Sequence, residues 1–151
     1  MIAFLPDDFD PPLALDHPAF QLRPLGPEHN DADYAAWTAS VDHILATPGF
    51  ETASWPHPMT LEENRRDLVR HADDFAARTG FTYTILEAAT GTVIGCVYIY
   101  PSDLSGMDAR VRSWVRAADA DLDAILYRAV REWLATNWPF EHVDYAERSG
   151  A

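Results

Sequence analysis

The spacing of hydrophobic positions changes several times along the chain, and each change marks an element. Phe20-Gln21-Leu22-Arg23-Pro24-Leu25 alternates apolar with polar residues, the period of a strand, and Gly26-Pro27 breaks it. From Asp33 the period lengthens. Tyr34, Trp37, Val41, Ile44 and Leu45 fall three or four apart, which predicts one helix stopped by Thr47-Pro48-Gly49. Phe50 to Met59 is irregular and carries Trp55-Pro56 and His57-Pro58. Thr60-Leu61-Glu62-Glu63 reads as a capping box, and Leu61, Leu68, Ala72 and Phe75 line a helix that ends before Gly80. Phe81–Leu86 and Thr92–Tyr100 are rich in β-formers and are joined by Ala89-Thr90-Gly91, which predicts a hairpin.

The second half repeats this logic. Ala109 to Arg116 alternates Arg110, Arg112, Trp114 and Arg116 against Val111, Ser113 and Val115, a strand with two chemically distinct faces. Leu122, Ile125, Leu126, Ala129, Val130, Trp133 and Leu134 form one helical stripe behind Asp119, Asp121 and Asp123, and Pro139 closes it. His142 to Ala146 is a last short strand. The order is β-α-α-β-β-β-α-β, an α/β domain with a mixed sheet. Its hairpins are antiparallel and its late β-α-β crossover is parallel.

Before the first strand, residues 1–19 hold Pro6, Pro11, Pro12 and Pro18 among Asp7, Asp8, Asp10 and Asp16. Proline fixes φ and removes donors, so this is an extended arm that Phe4, Leu5, Phe9 and Leu13 can pin to the domain. Residues 20–151 form the domain itself, and 151 residues suit one domain of this kind. No apolar run approaches membrane-spanning length, and Met1–Asp10 has three Asp and no basic residue, so neither a membrane anchor nor a secretory signal is expected. A cytoplasmic location follows as the expectation.

The net charge of −13 repels phosphate backbones, so a nucleic-acid partner is not expected. Every basic residue is arginine. The single cysteine, Cys96, excludes an internal disulfide and reads as a small buried hydrophobe. No two of the six His stand at helical ligand spacing, so no metal site is expected, and Asp67 with His71 reads as a helix-surface pair. Tyr98 and Tyr100 share one strand face. With the Arg110, Arg112, Trp114 and Arg116 face they would make an aromatic and guanidinium surface suited to a carboxylate or planar ligand.

The element order, Thr82–Tyr100 with Val93-Ile94-Gly95-Cys96, and the strand–helix unit Val111–Leu134 together resemble the GNAT superfamily of acyl-CoA-dependent N-acetyltransferases. The resemblance spans about residues 20–147. It implies a mixed sheet with helices on both faces and a bulge in the strand Ala109–Arg116. It also implies acetyl-CoA lying where that strand splays from the last one. The pyrophosphate would then sit on the N-terminus of the last helix, where free amides and the helix dipole make an anion site. By position the cofactor residues are Trp114, Val115, Arg116, Leu122, Asp123 and Ala124. Trp55, Tyr98 and Tyr100 are the expected contacts to an amine acceptor.

Two departures accompany the resemblance. The family's glycine-rich phosphate loop is replaced by Ala117-Ala118-Asp119-Ala120-Asp121-Leu122-Asp123-Ala124, with three carboxylates and no glycine. Two unit charges about 5 Å apart repel by roughly 3 kcal/mol at an effective dielectric near 20. These Asp residues would alternatively cap the helix. The family's helix with a general-acid Tyr has no counterpart after Tyr145, and Arg110 stands where some members carry a basic Glu, so no catalytic acid or base is assigned. The resulting expectation is an acetyl-CoA-dependent N-acetyltransferase of unknown amine acceptor with a degenerate pyrophosphate loop. The alternative is a non-catalytic binding or dimerisation module that has lost acetyl-CoA. In either case the open edge at the last strand predicts a homodimer.

Overall fold

The computed structural model describes residues 3–150, so Met1 and Ile2 of the expected arm and Ala151 of the expected domain lie outside the described residues. Six strands form one sheet in chain order: β1 (Leu15–Asp16), β2 (Phe20–Pro24), β3 (Phe81–Glu87), β4 (Val93–Tyr100), β5 (Ala109–Val115) and β6 (Val143–Tyr145). The first five pair antiparallel, and β6 pairs parallel to β5. The parallel pair requires a crossover, supplied by a 3₁₀ turn at Ala117–Leu122 and helix α4 (Asp123–Asn137). The remaining helices, α1 (Asn30–Thr38), α2 (Val41–Leu45) and α3 (Leu61–Ala77), lie between β2 and β3 in sequence. Among the described residues no helix is long and apolar enough to cross a membrane.

Alternation along the strands divides the core into two clusters. Val111 and Val115 of β5 join Leu126, Val130 and Trp133 of α4. Trp114 of the same strand, with Cys96 of β4, joins Trp37, Ile44 and Leu68 from α1, α2 and α3. The arm belongs to the first cluster. Leu5 is buried, Phe4 stacks on Phe81 at 6.0 Å and on Phe140 at 5.4 Å, and the Tyr83 hydroxyl donates to the Pro12 carbonyl at 2.7 Å. The arm also adds a strand to the sheet, since Leu15 pairs with Leu22 in β1–β2. At the opposite edge, where a homodimer is expected, β6 is three residues long.

Two expectations are corrected. The stripe Tyr34–Leu45 is two helices, not one: Ser40 takes φ −134° and ψ 23° between them. The Thr38 hydroxyl donates back to the Tyr34 carbonyl at 2.6 Å, and the Ser40 hydroxyl accepts from the Ala117 amide at 2.9 Å, just beyond β5. The break thus supplies a polar clamp to the end of a strand, a demand that apolar spacing does not report. The bulge implied for Ala109–Arg116 is also absent, since β4 and β5 pair in unbroken register from Gly95↔Val115 to Tyr100↔Arg110. The irregularity lies one strand over. Register between β3 and β4 moves from Ile85↔Gly95 to Leu86↔Val93, so Ile94 is the extra residue. This lets Val93 and Cys96 serve one cluster while Ile94 and Val97 serve the other.

Gly95, beside that bulge, permits close approach of backbones. A Cβ there would stand 2.1 Å from the Trp114 carbonyl oxygen. Because the obstacle is main chain, Gly95→Ala is expected to push β4 from β5 and destabilise the fold by about 2–3 kcal/mol. Chemical denaturation of the variant measures this, and an unchanged midpoint would contradict the contact.

Candidate functional site

Above the Trp114 face of β4 and β5, the irregular segment before α3 and the helices enclose a cavity of about 600 Å³. Trp55, Tyr98 and Tyr100, the expected acceptor contacts, all line it, as do His71, Arg110 and Arg112. Trp55 is held by its neighbours, with ring centroids 5.5 Å from Trp37 and 6.1 Å from Trp114. The Tyr98 hydroxyl accepts from Trp114 Nε1 at 2.9 Å, which orients both rings. Arg112 lies over the Phe50 ring at 5.5 Å. Its proton affinity is lowered by burial and by neighbouring Arg110.

A polar string underlies one wall. Trp37 Nε1 donates to Asn64 Oδ1 at 3.0 Å, and Asn64 Nδ2 donates to Asp33 Oδ2 at 3.1 Å and to Asn30 Oδ1 at 2.8 Å. The Cys96 thiol reaches Asp33 Oδ1 at 3.4 Å. Burial raises the Asp33 carboxyl, outweighing the hydrogen bonds from Asn64 and Cys96. Burial and then Asp33 push the Cys96 thiol up as well, which keeps it from acting as a nucleophile. At the cavity margin His71 Nδ1 lies 2.9 Å from the Tyr100 hydroxyl and 3.0 Å from the Thr82 hydroxyl, and Tyr100 donates to Asp74 at 2.9 Å. Burial, followed by Arg70, lowers the His71 pKa to about 4, so its imidazole is neutral near pH 7.

The second feature lies on the far side of β5. Only Ala109, Arg110 and Val111 pair with β6, which ends at Tyr145, so beyond Val111 this edge of β5 has no strand partner among the described residues. Arg148 enters the gap this leaves, with its side chain 3% exposed. Its Nε meets Asp123 Oδ2 at 2.8 Å, Nη2 donates to the Ser113 carbonyl at 2.7 Å, and Nη1 donates to the Ala146 carbonyl at 2.7 Å. Tyr127 and Tyr145 flank the guanidinium at 6.0 and 5.6 Å. The Tyr145 and Ser113 hydroxyls are 2.5 Å apart, which ties β6 to β5 beside it. A buried guanidinium is tolerable only when its donors are matched, and these acceptors supply the match.

The six expected cofactor residues do not converge. Asp123 is in the gap, but Ser113, not Trp114, turns its carbonyl there; Trp114 points its ring to the cavity side. Val115 is in the core, and Leu122 packs against it. Ala124 lies in the first turn of α4. Arg116 turns to Asp119, Nε to Oδ2 at 2.6 Å. None of the three Asp residues caps α4, whose N-cap is Leu122 without a side-chain hydrogen bond. Two of the three carboxylates are matched by arginines instead, Asp119 by Arg116 and Asp123 by Arg148. With Arg148 in place, the gap does not fit the amide-rich arm of an acyl-CoA. Ser113 already spends its carbonyl on Arg148, and Asp123 stands at the mouth of α4.

Sequence reasoning missed Arg148 and Asp33 and misread His71, which is not a surface pair with Asp67 but turns its ring to the Tyr100 and Thr82 hydroxyls. The available signal for His71 was its place three residues after Leu68 and four before Phe75, on the apolar stripe of α3. No sequence signal marked Arg148, because the partners that draw it into the gap, Asp123 and Ser113, lie 25 and 35 residues away.

No family model matches the chain, and no curated protein matches it in sequence. Solved structures do match in fold. The ribosomal-protein-S5-alanine acetyltransferase from Vibrio fischeri superposes with a TM-score of 0.62 at 14% identity, covering 82% of this chain and 67% of that one. The L7/L12 α-N-protein acetyltransferase RimL, in complex with coenzyme A, gives 0.61 at 15% identity, with coverages of 82% and 66%. A GCN5-related N-acetyltransferase from Brucella melitensis gives 0.60 at 16% identity, with coverages of 84% and 57%. The chain thus spans about two thirds or less of the length of these proteins. The β5–β6 pairing that ends at Val111, the preceding crossover helix and these superpositions agree: the chain has the fold of the GNAT acetyltransferases.

Proposed function

We propose that the chain is an N-acyltransferase acting on an amine, with acetyl-CoA as acyl donor and a cofactor gap that Arg148 latches. The observation that carries this reading is the end of β5–β6 pairing at Val111, which leaves the rest of that β5 edge without a strand partner among the described residues, with the cavity on the opposite side of β5. In this reading the donor and the acceptor lie on two sides of one strand, and holding two reactants in register is itself a large part of catalysis. Trp55, Tyr98 and Tyr100 are the proposed acceptor contacts. Asp123 and the Ser113 carbonyl border the proposed donor gap, with Leu122 and Ala124 beside it at the start of α4. Arg148 must leave that gap before a donor enters, so the reading requires a latch that opens.

A second reading, a binding protein on this fold that has given up the cofactor, rests on one observation. The Arg148–Asp123 pair satisfies the groups a cofactor would need. Isothermal titration with acetyl-CoA separates the two. Binding at about 10–100 μM by wild type supports the transferase. No heat up to about 1 mM from either wild type or Arg148→Ala supports the binding protein.

A further inference from the structure

We propose that the cavity over β4 and β5 binds a small flat carboxylate, gripped by Arg110 and Arg112. The inference stands on charge and shape and does not rest on acyl transfer.

Arg110 and Arg112 are two apart on β5, so both project from the same face, and both line the cavity. Arg112 is half-buried and Arg110 exposed. Among the described residues no carboxylate lies within ion-pair distance of either guanidinium, although the chain carries 24 acidic residues. The other half-buried or buried arginines each have an acceptor: Arg23, Arg116 and Arg148 meet an aspartate, and Arg78 and Arg131 donate to main-chain carbonyls, whereas among the described residues Arg112 donates to none. Arg112 instead has the Phe50 ring beneath it and a like charge beside it. Two adjacent guanidinium groups, one partly desolvated and unmatched, form a site whose missing component is an anion.

The walls decide which anion. Trp55 and Tyr98 present aromatic surface, with ring centroids 6.3 Å apart and planes at 69°. A flat apolar body would fill that corner. Asp33, Asp67 and Asp103 line the same cavity, so a dianion such as phosphate would face carboxyl groups that a single negative charge tolerates better. A planar guanidinium also matches a carboxylate through two parallel hydrogen bonds. The chemistry therefore selects a monocarboxylate attached to a ring.

Titration with 3-phenylpropanoate, followed by calorimetry and by tryptophan fluorescence, tests this. Saturable binding is expected, with 3-phenylpropanamide, which keeps the ring and replaces the carboxylate by a neutral amide, at least about tenfold weaker. Arg112→Gln is expected to weaken the carboxylate at least about tenfold, and Arg110→Gln about threefold. Arg110 is exposed, so that variant folds and decides the matter if Arg112→Gln does not. Absence of saturation by wild type up to about 10 mM would overturn the proposal. So would equal binding by wild type and both variants, or phosphate binding as tightly as the carboxylate. No acyl-CoA is present in these titrations, so their failure leaves the transferase reading untouched, and the acetyl-CoA titration leaves this proposal untouched.

Discussion

Replacing Arg148 by alanine is expected to lower stability by about 3–5 kcal/mol, the cost of stranding one member of a buried ion pair. The number follows from what remains. Asp123 loses the Nε–H at 2.8 Å while its Oδ1 is already buried without a partner, and the Ser113 and Ala146 carbonyls lose their donors. For a chain of this size the loss corresponds to a drop in Tm of about 10 °C. Arg148→Met with Asp123→Asn removes both charges and keeps apolar volume against Tyr127 and Tyr145. The double variant is therefore expected to be more stable than Arg148→Ala. Thermal melts of wild type, Arg148→Met, Asp123→Asn and the double variant close a cycle that measures the coupling. Additive losses would mean that the guanidinium and carboxylate do not sense each other. The same variants report on function. If the guanidinium is a latch, removing it frees the Ser113 carbonyl, and acetyl-CoA should bind Arg148→Ala at least about tenfold more tightly than wild type. The comparison is made well below the melting temperature, so that the stability loss does not enter.

What the chain disclosed on its own was the part governed by local period. The hairpin Phe81–Tyr100 ends within a residue of its expected bounds, because β-branched residues and Gly91 at φ 74° specify both strands and turn locally. The capping box at Thr60 is present on both sides, with Thr60 N–H donating to Glu63 at 2.8 Å and Glu63 N–H donating to Thr60 at 3.1 Å. Alternation in Ala109–Arg116 likewise placed Arg110 and Arg112 beside Tyr98 and Tyr100 in one cavity. What escaped was set by distance. The break at Ser40 serves Ala117, 77 residues away, and Asp123 is turned by Arg148, 25 residues on, where helix capping was the local alternative. A carboxylate's partner decides whether an acidic loop repels an anion or is already neutral, and that partner is a tertiary fact.

His71 supplies the second large effect, a dependence of stability on pH. Burial, then the charge of Arg70, lowers its pKa to about 4, against an unfolded value near 6.5. Asp67 and Asp74 oppose the shift without cancelling it. Between those two pH values the unfolded chain binds more protons at this site than the folded one, so stability rises with pH there and falls on acidification. The full difference is about 3 kcal/mol, present above pH 6.5 and lost as pH falls through about 4. Asp33, across the cavity, works in the opposite direction. Its raised pKa gives a contribution fullest in acid and lost as pH rises through its folded value. The wild-type profile therefore mixes both, and the difference between wild type and His71→Gln isolates the histidine. Urea denaturation at a series of pH values should show wild type losing stability faster than His71→Gln from pH 6.5 downward. Glutamine can keep a hydrogen bond to Tyr100 or Thr82 without titrating, so a mere packing defect would shift the two profiles in parallel. Parallel profiles would show that His71 is already as free to protonate as a histidine in water, and that the cavity margin is open to solvent.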